Sequence, residues 1–163
     1  MSITPEKRPP RWSEGNALPA GSFAFRNIAR MMEGIVEYRV PYADTDQMGF
    51  VYYGNYLVFF ERARNELLRA MGFPYRQLEA LGVGLPVTEA AIKYHAHAKY
   101  DDLLTIRARL VEYSGVRVKV ACQVLRENTL LVEGWTIHAF INLKTGRPTR
   151  PPKEILEVIN AEG

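Results

Sequence analysis

The chain has 163 residues, 47% of them hydrophobic and 24% charged, which suits one soluble-type domain with a sizeable core and leaves too little for two. A net charge of only +3 argues against a dedicated nucleic-acid binder while leaving room for a local anion site. No apolar run reaches the roughly 18 residues of a membrane span, no secretory signal pattern opens the chain, and the lone Cys122 excludes an internal disulfide or a multi-cysteine zinc site, so the expected setting is a reducing cytoplasm.

Residues 1–30 carry Pro5, Pro9, Pro10 and Pro19 among glycines and scattered charges without a helical or strand period, and are expected to be a mobile extension to one domain over 31–163. From Ile35 to Pro41 alternation predicts a first strand, followed by a loop over Asp44–Gly54. Tyr56, Phe59, Phe60, Ala63, Leu67, Ala70 and Met71 recur at three- and four-residue steps, which predicts one long helix ended by Gly72 and Pro74. Four β-rich runs follow, about Leu85–Ala98, Leu103–Tyr113, Val116–Arg126 and Leu130–Leu143. Ser114-Gly115 and Glu127-Asn128 stand at hairpin spacing between the later ones. Lys153–Asn160 closes the chain with a short helix. The order predicts an α+β domain, an antiparallel sheet laid around one helix.

Chemistry concentrates between Tyr42 and Arg64. Asp46, a carboxylate in a glycine-punctuated loop, precedes the turn Tyr52-Tyr53-Gly54-Asn55, where a helix begins and offers unpaired N–H groups and the positive end of its dipole. A carboxylate beside such donors suits attack on a polarised carbonyl. The plainer roles are an Asx turn for Asp46, a cap or solvated acid for Asp44 and a helix cap for Asn55. Glu61, among Arg62, Arg64 and Asn65, reads as a surface residue. His95 and His97 share a strand face at metal-ligand spacing but lack further ligands nearby, so no metal is expected; His138 and Cys122 read as structural. Arg147, Arg150 and Lys153 form a loose basic cluster, suited equally to phosphates or to a solubilising tail, with Arg117 and Lys119 a second basic pair.

The string YADTDQMGFVYYGNYLVFFERAR closely resembles the 4-hydroxybenzoyl-CoA thioesterase-like branch of the hotdog-fold acyl-CoA thioesterases, a resemblance running from about Ile35 to Ile159. It implies the hotdog fold, hydrolysis of an acyl-CoA without metal or cofactor, and a homodimer or homotetramer with shared sites. Thr45, Asp46 and Gly49 match the family's catalytic aspartate motif, which implies that Asp46 activates water or attacks the carbonyl itself; Tyr53 or Gly54 matches the backbone donor to the thioester oxygen. Arg147 and Arg150 are the expected contacts for CoA phosphates. Two other readings stand beside this one: a hotdog hydratase or dehydratase, which a histidine in the loop before the helix would favour and which this loop lacks, and a non-catalytic subunit that binds acyl thioesters.

Overall fold

The computed structural model describes residues 12, 26–27 and 32–161. Most of the expected mobile extension, residues 1–30, therefore lies outside the described residues. Eight strands and three helices follow in the order β1 (Arg26–Asn27), β2 (Glu33–Arg39), α1 (Asn55–Ala70), α2 (Tyr75–Ala80), β3 (Val83–Gly84), β4 (Val87–Tyr94), β5 (Leu103–Ser114), β6 (Arg117–Arg126), β7 (Thr129–Ala139), β8 (Ile141–Asn142) and α3 (Lys153–Ala161). The main sheet is antiparallel and runs β4-β7-β6-β5, with both β2 and β1 laid along the outer edge of β5. It wraps around α1 as the sequence pattern implies.

Both expected hairpins form, with the left-handed backbone taken by Gly115 in one and by Glu127, at φ +55°, in the other. Ser114 opposes Arg117 across a turn whose Gly115 has φ +58°, and Arg126 opposes Thr129 across Glu127-Asn128. The first β-rich run is shorter than expected: β4 stops at Tyr94, so His95 and His97 do not share a strand face. His95 instead meets Glu133 at 3.0 Å, and His97 stacks on Phe50. Among the described residues no group of three or more His, Cys, Asp and Glu side chains is placed to hold a metal.

Along α1 the residues Tyr56, Phe59, Phe60, Ala63 and Leu67 are buried against the sheet; Ala70, expected on this stripe, is exposed. The helix lies so close to β2 that a β-carbon on Gly34 would stand 2.0 Å from the Ala63 carbonyl oxygen, which only glycine avoids. Side chains alternate along the strands, so Leu104, Ile106, Ala108, Val120, Cys122 and Val124 face the helix. Arg107, Lys119, Gln123 and Glu133 take the other face, yet are buried there too. Gln123 Oε1 accepts from Arg107 Nε at 2.9 Å and Nη2 at 2.6 Å. Trp12 lies over this outer face, its ring 4.5 Å from the Arg107 guanidinium and 4.4 Å from that of Arg109, while Nε1–H donates to Glu33 at 2.8 Å.

Candidate active site

Between β2 and α1 the chain makes a 3₁₀ turn, Tyr42–Asp44, and then a tight antiparallel loop. Tyr52 N–H donates to the Asp44 carbonyl at 2.9 Å, Thr45 bridges Val51, and Asp46 N–H donates to the Phe50 carbonyl at 2.8 Å. Gly49, at φ +80°, lets the tip reverse. The loop is pinned from outside as well: Val51 N–H donates to the Ala98 carbonyl at 2.8 Å, and the Phe50 ring carries the His97 ring stacked at 4.1 Å with Lys99 Nζ at 5.8 Å.

Asp46 is half-buried at the head of this loop. Its Oδ1 accepts from Met48 N–H at 2.9 Å and Phe50 N–H at 3.3 Å, which is the Asx-turn role. Its Oδ2 accepts nothing from the described residues, so one oxygen holds the carboxylate still and the other stays open. Asp44 is a scaffold residue: its carboxylate accepts from Tyr38 Oη at 2.6 Å, and its carbonyl accepts Asn55 Nδ2 at 3.0 Å as well as Tyr52 N–H. Asn55 therefore does not cap the helix. Gly54 is the N-cap and has no side chain to offer an acceptor to the first turn of α1, and the Tyr53 and Gly54 N–H groups themselves meet no acceptor among the described residues. The carbonyl of Tyr53 is fixed by Tyr94 Oη at 3.0 Å. Asp46 thus lies in the loop that leads into α1, and the Tyr53 and Gly54 amides, unengaged among the described residues, stand at the positive end of that 16-residue helix.

Arg147 and Arg150 are not brought to that corner. The Asp46 loop docks on residues 97–99, just past the Tyr94 end of β4, where Tyr94 opposes Val132. Arg147 and Arg150 are exposed in the turn after Phe140, at the other end of β7. Roughly eight strand residues, about 26 Å, separate the two within one chain. The second basic pair is engaged elsewhere, Lys119 with Glu112 at 3.3 Å and Arg117 near Glu89 at 3.8 Å. Glu61 is exposed on α1, as expected. Of the tyrosines in this stretch Tyr56 belongs to the core, while Tyr42, Tyr52 and Tyr53 are exposed.

A second polar group went unrecognised in the sequence. Arg64 is buried, 8% exposed, and its Nη1 lies 3.4 Å from His138 Nε2. His138 Nδ1 faces the Leu85 carbonyl at 3.2 Å, so that nitrogen carries the proton, leaving Nε2 to accept from Thr136 Oγ1 at 2.7 Å and from Arg64. Burial, reinforced by the Arg64 charge, pushes the imidazole down to about 4. Burial also lowers the Arg64 guanidinium and pushes the Cys122 thiol up to about 12, which leaves Cys122 inert. The missed signal is positional: Arg64 stands four residues after Phe60 and four before Leu68, on the apolar stripe.

Comparison with known proteins shows the family. Residues 40–159 match the profile of the thioesterase-like superfamily. The acyl-CoA thioesterase YbgC of Haemophilus influenzae is 39% identical over 119 residues, covering 72% of this chain and 87% of the relative. A Thermus thermophilus structure described as hypothetical protein TT1821 superposes with TM-score 0.75 at 35% identity, over 80% of this chain and 99% of that one. The structure of a DHNA-CoA thioesterase from Staphylococcus aureus gives TM-score 0.70 at 31% identity, over 74% of this chain and 81% of the other.

Proposed function

The chain belongs to the thioesterase-like superfamily and has its hotdog fold, and from that premise we propose that it hydrolyses acyl-CoA thioesters with Asp46 as the catalytic carboxylate. The reading is supported by an Asp46 Oδ2 and Tyr53 and Gly54 amides that meet no partner among the described residues, all within the short stretch that leads into α1. The thioester carbonyl oxygen accepts from those amides, and negative charge developing on it is stabilised by them and by the helix dipole. Asp46 then removes a proton from the attacking water, or adds to the carbonyl first to form an anhydride that water opens. Both routes break the C–S bond, put oxygen on the acyl carbon and release CoA as the thiol.

The working unit in this reading is a homodimer joined along β4, the free end of the sheet order. Exposed aromatic side chains stand at one end of this edge, where Tyr53 and Tyr94 are each at least 44% exposed and Tyr94 Oη donates to the Tyr53 carbonyl. Antiparallel pairing of two β4 edges sets the Tyr94 end of one protomer against the Val87 end of the other. That is the end bearing the partner's Arg147 and the partner's Arg150. The distance that separates Asp46 from these arginines within one chain is thereby closed between two, and the arginines meet the CoA phosphates from across the interface. The lone, buried Cys122 suits the reducing cytoplasm in which CoA esters are found, and among the described residues no helix is long and apolar enough to cross a membrane.

The test is a panel of acyl-CoA esters, short-chain, medium-chain and aromatic, assayed for released thiol. Turnover of at least one class is expected. Tight binding of the whole panel with no thiol released would instead make the chain a non-catalytic acyl-thioester binder.

A further inference from the structure

At the tip of the Asp46 loop the side chains of Gln47 and Met48 are exposed, as is Gly49, and Phe50 is the residue that turns half-buried. Phe50 is also the residue that grips Asp46. Its carbonyl accepts Asp46 N–H at 2.8 Å, and its own N–H donates to Asp46 Oδ1 at 3.3 Å beside the 2.9 Å bond from Met48 N–H. The Phe50 bond to Oδ1 is long for its kind, so a small displacement of Phe50 is enough to break it and let the carboxylate turn.

Phe50 is steadied from outside the loop. Its ring lies against the His97 imidazole, the centroids 4.1 Å apart and the planes 15° apart, with Lys99 Nζ 5.8 Å from its centroid. His97 is itself exposed, yet the backbone that carries it is held on several sides: its carbonyl accepts Arg126 Nη1 at 3.3 Å, Ala98 N–H donates to Tyr56 Oη at 3.3 Å, and Phe50 opposes Lys99 across an antiparallel bridge. An exposed ring on a fixed backbone adds little to a core. Stacked on a second ring, it restricts where that ring can go.

We propose that His97 is a positioning residue for the thioester reaction, an inference that rests on Asp46 being the catalytic carboxylate. The His97 ring clamps Phe50, the Phe50 amide holds Asp46 Oδ1, and Oδ2 is thereby aimed. The contact runs through the ring face, so it needs neither nitrogen of the imidazole, and a carbocyclic ring of similar size serves as well. Releasing the clamp lets the carboxylate swing while the groups that bind substrate stay in place. The loss then falls on kcat and not on KM.

Thiol release from acyl-CoA esters by the full-length parent, His97→Ala, His97→Phe, Phe50→Leu and the variant carrying both His97→Ala and Phe50→Leu tests this. His97→Ala should lower kcat about tenfold with KM unchanged, His97→Phe should restore the parent kcat, and His97→Ala added to Phe50→Leu should cost nothing more. A parent-like kcat in His97→Ala, a change confined to KM, a His97→Phe variant as slow as the alanine one, or losses that multiply in the double variant would each overturn the clamp. An active parent beside an unaffected His97→Ala sinks the clamp alone; a parent that releases no thiol from any ester sinks the reading of Asp46 and the clamp with it.

Discussion

The helix α1 carries polar chemistry at two places that treat it in opposite ways. In the loop before it and at its amino end, Asp46, Tyr53 and Gly54 keep one carboxylate oxygen and two amides unengaged among the described residues. Midway along, Arg64, His138 and Thr136 are buried and turned on one another, and the imidazole is held neutral between them. Polar groups that face outward with bonding capacity to spare are fit to meet a substrate. Those bonded to one another inside the core, Arg64 and Thr136 both meeting His138, tie α1 to β7. A substitution at the first place should therefore cost rate, and one at the second should cost stability.

The largest effect expected is on Asp46→Asn, which keeps size and most of the loop's hydrogen bonding but removes the base or nucleophile. Turnover should fall by about two to four powers of ten with unchanged melting behaviour. A folded variant with near-normal rate would erase the distinction. At the closed site His138→Ala should cost about 2–4 kcal/mol in urea unfolding, since it strips Arg64 and Thr136 of their buried acceptor. Rate per folded molecule should hold; a fall matching that of Asp46→Asn would show the two places to be one.

The same imidazole makes stability fall in acid. Its folded value of about 4 lies below the ordinary 6.5, so the unfolded chain takes up a proton first, and stability present above about pH 6.5 is lost as pH drops toward 4. The loss is on the order of 3 kcal/mol. His138→Gln should flatten that slope between pH 6.5 and 4; an unaltered slope assigns it to other groups. The smallest effect belongs to the far end of β7. Replacing Arg147 and Arg150 with Ala should raise the KM for acyl-CoA several-fold, mimicked by added salt, while a short thioester without the nucleotide is unaffected. Equal changes for both substrates would remove these arginines from the CoA site.

Legibility in the sequence follows the range of the interactions. The α1 stripe, the two hairpin positions at Ser114-Gly115 and Glu127-Asn128, and the Asp46–Gly49 turn are written in spacings of a few residues, so they can be read directly. Missed elements are short and depend on distant partners. The helix α2 has six residues, and the β3–β8 ladder pairs Val83 with Asn142 across most of the second half of the chain. Arg64 hid because arginines at 62 and 69 flank it on the solvated side, and a charge is assumed to share its neighbours' fate unless its helical position is checked. Asn55 was misread because Asn is a common cap. Here its amide reaches Asp44, an interaction that the loop's closure creates. The place of Arg147 follows only from the length and direction of β7.

Three phenol hydroxyls hold the Asp46 corner from three elements. Tyr38 in β2 donates to Asp44, Tyr94 in β4 donates to the Tyr53 carbonyl, and Tyr56 in α1 accepts from Ala98 N–H beside the docked loop. For each, burial raises the phenol above its usual 10, with the Asp44 carboxylate adding to the effect at Tyr38. The stability they contribute is fully present below pH 10 and is lost as pH rises from there through their raised values. The corner is thus a tripod whose two donating feet, Tyr38 and Tyr94, come loose in strong base and nowhere near neutrality. Each foot can also be removed singly by Tyr→Phe at almost constant volume, so the slack in the loop is adjustable in three independent increments without touching the carboxylate it carries.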